Sequence, residues 1–209
     1  RQNFKYHEFE AWFDARSVYE PRVLKVEERN YPSEYPVLSR QIDISPYHFP
    51  FLDTVLFKFK AELPNPKQVG IFRYYPQSRG WSSVSTTYDA GTATYARKVR
   101  SPGIYALMRD IYPPTVWFRR PEARYKKLLQ RLIVKMGDRG MGVNDSSIKV
   151  WLNGRRICTG YDCACEYDPD WRSFTIKELG DLKAGKNLLR VQVKDYAGNK
   201  TDRLFGFTL

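Results

Sequence analysis

The most constraining feature of this chain is a hydrophobic period of two, recurring from one end to the other. In "TVLFKFK", Val55, Phe57 and Phe59 fall on one side of an extended chain and Lys58 and Lys60 on the other. "SIKVWLNG" puts Ile148, Val150 and Leu152 on one face and ends in Asn153-Gly154, the strongest short hairpin signal because both residues accept positive φ. "NLLRVQVKD" repeats the alternation through Leu189, Val191 and Val193, and "RLFGFTL" supplies a last strand. Strand-length runs return every 8 to 15 residues, punctuated by Pro, Gly, Asn and Asp. This predicts an all-β chain of antiparallel sandwiches. Helical periodicity is confined to a short stretch near Glu122–Leu129, better read as a basic loop leading into the strand "LIVKM", and to one turn in "FTIKELGDLKAG".

At 209 residues the chain has room for two sandwiches. "GIYALMRD" reads as the end of one alternating segment, and Tyr112-Pro113-Pro114 follows. A Pro-Pro pair cannot donate to a sheet ladder and stiffens an extended connector. The expected domains are therefore residues 1–112 and 113–209.

The net charge is +12, of which +8 falls from Val116 onward. The densest basic segment, "RRPEARYKKLLQR", holds Arg119, Arg120, Arg124, Lys126, Lys127 and Arg131 against one glutamate. It is either a solvated face or an attractor for an acidic polymer, anionic lipid or nucleic acid. No run of 18 apolar residues exists to span a membrane, and the opening "RQNFKYHEFEAWF" is no signal peptide, so a processed protein or fragment is expected. Cys158, Cys163 and Cys165 do not have zinc spacing. Cys158 paired with Cys163 or with Cys165 in an oxidising compartment, and three small buried hydrophobes, are equal readings.

The second half resembles a bacterial Ig-like module. Asp138 and Gly142 before a strand, the Asn153-Gly154 turn, the run from Leu182 to Leu189 and the tail Asp195-Tyr196-Ala197-Gly198-Asn199 carry the likeness. The later part of the first half, in "YHFPFLDTVLFKF", "IFRYYPQSRGW" and "SPGIYALMRD", resembles a ZU5-like sandwich. The likeness covers about Asp43 to Leu209; residues 1 to 42 read only as β-rich. The order of the two resembles the non-catalytic C-terminal region of bacterial secreted or cell-envelope proteins, some with an upstream zinc peptidase of the wall-cutting M23 type. It implies an extracellular, periplasmic or cell-surface accessory, binding or scaffolding module, with other domains of a larger parent protein and an envelope glycan or other acidic polymer as partners. Some ZU5-type domains cleave themselves at His-Phe-Ser; here His48-Phe49-Pro50 offers no nucleophile, and Phe49 and Phe51 read as core plugs.

With only His7 and His48, neither a hydrolytic zinc centre nor a Ser-His-Asp triad can be assembled from the sequence, and no phosphate-binding loop is present. The expectation is no enzyme activity and no cofactor. The acids Asp162, Glu166, Asp168 and Asp170 read as a solvated loop, with metal or ligand contact, or a catalytic carboxylate pair, as the lesser readings. Asp138, Asp145 and Asp195 would meet at one end of the Ig-like half, where calcium is the one ion considered. Arg73, Tyr74, Tyr75, Arg79 and Trp81 form the remaining ligand-binding candidate, since aromatics beside arginine stack on sugar rings or bases, against a plain core reading.

Overall fold

The computed structural model describes residues 2–14, 16–17, 23–118, 131–159, 165–177, 179–180 and 182–209. Among these, every regular element is a strand except one 3₁₀ turn at Pro66–Gln68. No described segment is helical enough to cross a membrane. The chain divides into two compact units, Arg1–Ile111 and Tyr112–Leu209.

The first unit stacks two five-stranded antiparallel sheets. One has β1 (Gln2–Tyr6), β2 (Phe9–Phe13), β5 (Val55–Lys60), β9 (Thr94–Val99) and β8 (Thr87–Asp89), in the order β1-β2-β5-β9-β8. The other has β3 (Lys25–Arg29), β4 (Gln41–Ser45), β10 (Gly103–Arg109), β6 (Val69–Tyr75) and β7 (Gly80–Val84), in the order β3-β4-β10-β6-β7. Val55, Phe57 and Phe59 are buried between the sheets, with Phe9 and Tyr95 on the neighbouring strands and Ile42, Ile71, Tyr105 and Leu107 opposite.

The second sheet of this unit departs from simple alternation. Ile104, Ala106 and Met108 are as buried as Tyr105 and Leu107, so β10 is covered on both faces. The outer cover is the segment from Tyr31 to Tyr35. Gln41 clamps it, its Oε1 accepting from Tyr31 N at 2.6 Å and its Nε2 donating to Tyr31 O at 3.0 Å. Tyr35 packs on Phe72 with ring centres 4.8 Å apart, and Ser33 Oγ lies 3.4 Å from Met108 Sδ. A strand buried on both sides carries an unbroken apolar run, which is why "GIYALM" has no polar face.

The second unit has β11 (Thr115–Phe118), β12 (Leu132–Gly137), β16 (Ser173–Ile176) and β15 (Cys165–Asp168) in one sheet, ordered β11-β12-β16-β15. The other is β14 (Arg155–Thr159), β13 (Val143–Leu152), β17 (Lys186–Asp195) and β18 (Lys200–Thr208), ordered β14-β13-β17-β18. Lettered in chain order, these are ABED against C′CFG, the connectivity of immunoglobulin-type sandwiches. Ile148, Val150, Leu152, Leu189, Val191 and Val193 of one sheet meet Leu132, Val134, Met136, Phe174 and Ile176 of the other. The β13–β14 hairpin turns on Asn153 and Gly154 at φ 52° and 89°, the positive pair the dipeptide predicts. Of the single helical turn expected in "FTIKELGDLKAG", the described residues show one turn bond, from Leu182 N to Leu179 O at 3.0 Å, after β16 ends at Ile176.

Of the two cysteine readings the disulfide holds, with Cys158 joined to Cys165. Cys163 lies outside the described residues. The bond ties β14 of one sheet to β15 of the other, at the crossover where the chain changes sheets. Closing a loop with a sequence separation of 7 removes chain entropy worth about 2.5 kcal/mol from the unfolded state. A Cys158→Ala/Cys165→Ala variant should therefore melt about 10 °C or more below the parent. Reductant should lower the parent's melting temperature and leave the variant's unchanged; equal melting of the two proteins without reductant would show that the crossover needs no staple.

Candidate functional site

The β6–β7 hairpin holds all five residues of the aromatic–arginine candidate but splits them between two faces. Tyr74 and Trp81 are directly paired across the hairpin, 5.3 Å apart, and both are buried on the outer side of their sheet. Tyr31 covers Tyr74 at 4.5 Å, and the Trp81 indole donates to Pro32 O at 3.0 Å. These two rings are thus structural plugs beneath the Tyr31–Tyr35 cover. Arg73 and Tyr75 point the other way. The Arg73 guanidinium lies between the rings of Tyr75, at 5.2 Å, and Tyr105, at 5.7 Å, and its Nη2 donates to Pro102 O at 3.1 Å. Its Nε is buried without a hydrogen-bond partner. A Cβ on residue 103 would sit 3.0 Å from that nitrogen, so Gly103 is what lets the guanidinium close on the backbone. Burial raises the Tyr105 phenol above its ordinary range and leaves it as a neutral donor to Ser101 O. What remains open to a ligand is Tyr75, 39% exposed, with Arg73 behind it and Arg79 at positive φ in the turn. A ring backed by a cation and flanked by another suits a sugar face or an anion.

His48 is exposed, with its ring 4.2 Å from Phe49. Phe51 enters the core, whereas Phe49 is only half-buried. The polar chemistry of this stretch belongs instead to Tyr47, which donates to Asp43 Oδ1 at 2.7 Å after a cis Ser45-Pro46 bond. Partial burial, and then the adjacent Asp43 carboxylate, hold the Tyr47 phenol well above its ordinary range.

Two of the three predicted metal-site acids come together. Carboxylate oxygens of Asp138 and Asp195 lie within 4.8 Å of each other. Asp145 is not in that group; its Oδ1 accepts from Ser146 N at 2.8 Å. Asp195 is almost wholly buried and accepts from Asn199 N at 2.7 Å and Asn199 Nδ2 at 2.8 Å. Asp138 accepts from Gly142 N at 2.8 Å. These are the bonds by which acidic side chains close turns. Of the other acids, Glu166 pairs with Lys177 at 2.8 Å, and Asp168 accepts from Trp171 N at 3.0 Å in the turn after β15. Asp170 is exposed, and Asp162 lies outside the described residues.

Of the basic segment, Arg119, Arg120, Arg124, Lys126 and Lys127 lie outside the described residues; Arg131 is exposed just before β12. The organised positive surface is elsewhere. Between the core positions of β13 and β17 stand Lys149 and Trp151, and Lys186, Arg190, Gln192 and Lys194. Register sets Arg156, Trp151, Arg190 and Leu204 side by side across four strands, with Thr159, Lys149, Gln192 and Asp202 in the next row. Arg190 lies 5.1 Å from the Trp151 ring and grips Asp202 through Nε at 2.9 Å and Nη2 at 2.7 Å; Gln192 Nε2 adds a third bond at 2.7 Å. The Arg190 bond in particular lowers the Asp202 carboxyl to about 2. The signal for this face was in the sequence, as the positions alternating with Val150, Leu189, Val191 and Val193. Seeing it as one surface requires the strand order.

No family model matches the chain, and no curated protein matches it. A solved structure described as the fibronectin(III)-like modules of Clostridium thermocellum CbhA aligns with 90% of this chain and 94% of that chain, at 11% identity and a TM-score of 0.30.

Proposed function

We propose that this chain is a non-catalytic binding or scaffolding module of a secreted or cell-envelope bacterial protein. The observation that carries the reading is the division of labour among its polar groups. Those drawn into the sandwiches, Gln41, Asp43, Asn187 and Asp195, hold segments and turns in place. Those on the surface are rings and fixed charges on sheet faces and one hairpin, equipment for holding a ligand rather than breaking one. The cross-sheet disulfide supports maturation in an oxidising compartment. The resemblance of the first unit to ZU5-like sandwiches supports a place beside a catalytic domain, an M23-type peptidase being one such neighbour. Arg73, Tyr75 and Arg79 are the residues assigned to glycan contact; the alternative is polyanion binding through the Arg119–Arg131 segment.

The test is a binding panel of peptidoglycan, neutral glycans and acidic polymers at low and high salt, with each polymer checked afterwards for cleavage. The expected result is retention on at least one polymer without any new product, weakened several-fold by Tyr75→Ala with Arg79→Ala. Release of a product by the chain alone would refute a non-catalytic role. Binding unchanged in the double variant would remove the hairpin from the site.

A further inference from the structure

The outer face of the β14-β13-β17-β18 sheet presents Lys149, Arg156, Lys186, Arg190, Lys194 and Lys200 against one carboxylate, Asp202. On the opposite outer face of the same unit the described strands and Lys177 carry Lys135 and Lys177 against Glu166 and Asp168, with Arg131 just before β12. Among the described strands of this unit, positive charge is concentrated on the first of these faces, and a surface of one sign attracts an anionic partner. Arg190 is committed to Asp202, and Lys200 lies 3.9 Å from the same carboxylate. Among the described residues no acid lies within ion-pair reach of Lys149, Arg156, Lys186 or Lys194. Those four cations perform no structural task that the fold reveals, and holding like charges on one face is unfavourable until a polyanion covers them.

We propose that this face binds an acidic polysaccharide, an extended sugar chain bearing sulfate or carboxylate groups. The proposal deepens the binding-module reading and rests on it. Extent and shape fit an extended chain. From Lys186 to Lys194 the strand runs about 27 Å, and four strands span about 14 Å. The chemistry separates sugar from nucleic acid. Binding single-stranded bases calls for free aromatic platforms, and the one indole here, Trp151, already has Arg190 over it. One row across the sheet runs Thr159, Lys149, Gln192 and Asp202, a hydroxyl and a carboxylate on the two edge strands with a cation and an amide between them. A hydroxyl and an amide among the cations can exchange hydrogen bonds with sugar hydroxyls, which both donate and accept.

The experiment uses the whole chain and heparin as the probe. Lys149→Glu with Lys194→Glu reverses two exposed charges on the face. Lys67→Glu with Lys98→Glu makes the same change in net charge on the first unit. Thermal melts confirm that each variant is folded. The expected result is parent binding that weakens steeply with salt, a loss of about tenfold or more in the face variant, and near-parent binding in the control. Equal losses in both variants would reduce the effect to net charge and overturn the site, as would parent-like binding by the face variant. Tighter, equally face-dependent binding of a single-stranded oligonucleotide would overturn the sugar assignment. A parent that ignores heparin overturns the proposal by itself; the binding-module reading falls with it only if peptidoglycan and neutral glycans are ignored as well.

Discussion

Asn187→Ala is expected to destabilise the second unit by about 3 kcal/mol and to lower its melting temperature by more than 10 °C. Asn187 is 1% exposed and uses its whole hydrogen-bonding capacity. Its Nδ2 donates to Lys183 O at 2.8 Å and Gly185 O at 3.0 Å; its Oδ1 accepts from Lys183 N and from Asn153 Nδ2, both at 2.9 Å. Asn153 in turn accepts from Leu188 N at 2.9 Å and donates its own N–H to Leu188 O at 2.8 Å. One amide thus shapes the loop before β17 and docks the β13–β14 turn onto it. Alanine removes four bonds at once; Gly185 O keeps its bond from Leu209 N at 3.0 Å, so the cost falls on the Lys183 peptide groups and on the docking of the Asn153 turn. Asn187→Asp separates bonding from volume. It keeps the shape but turns an acceptor toward two carbonyls, so it should be at least as damaging at neutral pH. Burial, with the Lys183 and Gly185 carbonyls facing its second oxygen, raises that carboxyl's pKa, so the variant's lost stability returns in part as pH falls and the protonated acid can donate. Near-parent stability of the aspartate variant at neutral pH would show that the site is held by packing alone.

Phe57→Ala should cost the first unit about 4 kcal/mol, and Phe57→Leu far less. Phe57 is fully buried on β5 and touches both sheets. Its ring meets Phe9 at 5.1 Å on the neighbouring strand and Tyr105 at 5.1 Å on the facing sheet, each edge to face, with Phe51 at 6.4 Å. Truncation removes the transfer energy of the ring and leaves a cavity walled by rings that are themselves held by backbone pairing, so collapse around it is limited. Urea denaturation should show the midpoint falling with little change in slope. A loss below about 1 kcal/mol would mean that Phe9, Phe51 and Tyr105 can close the gap, and would place the weight of this core elsewhere.

How much of this was legible in the sequence depended on the range of the interaction. Val55-Phe57-Phe59, Ile148-Val150-Leu152 and Leu189-Val191-Val193 announce their buried faces because side-chain direction in a strand is a local property with period two. Asn153-Gly154 is likewise local, since the turn asks only for positive φ at two adjacent residues. Tyr74 and Trp81 were open to both a core and a ligand-binding reading because the segment that covers them, Tyr31 to Tyr35, lies some forty residues earlier in the chain. The cysteines were legible as a cluster and not as a pair, because pairing depended on which sheet each joined. Asn187 gave no sign, as its four partners are brought together only by the loop it organises.

The sequence by itself determined the kind of element, the buried face of the main strands and the positions of the tight turns, since each follows from sterics and hydrophobic period within a few residues. The tertiary structure decided which strands became neighbours. That choice turned alternating lysines, two arginines and a glutamine from β13, β14, β17 and β18 into one charged surface, and sent the rings of one hairpin to opposite fates. Strand neighbours are set by the closure of two sheets over a shared core, a sum over contacts distant in the chain that no local window contains.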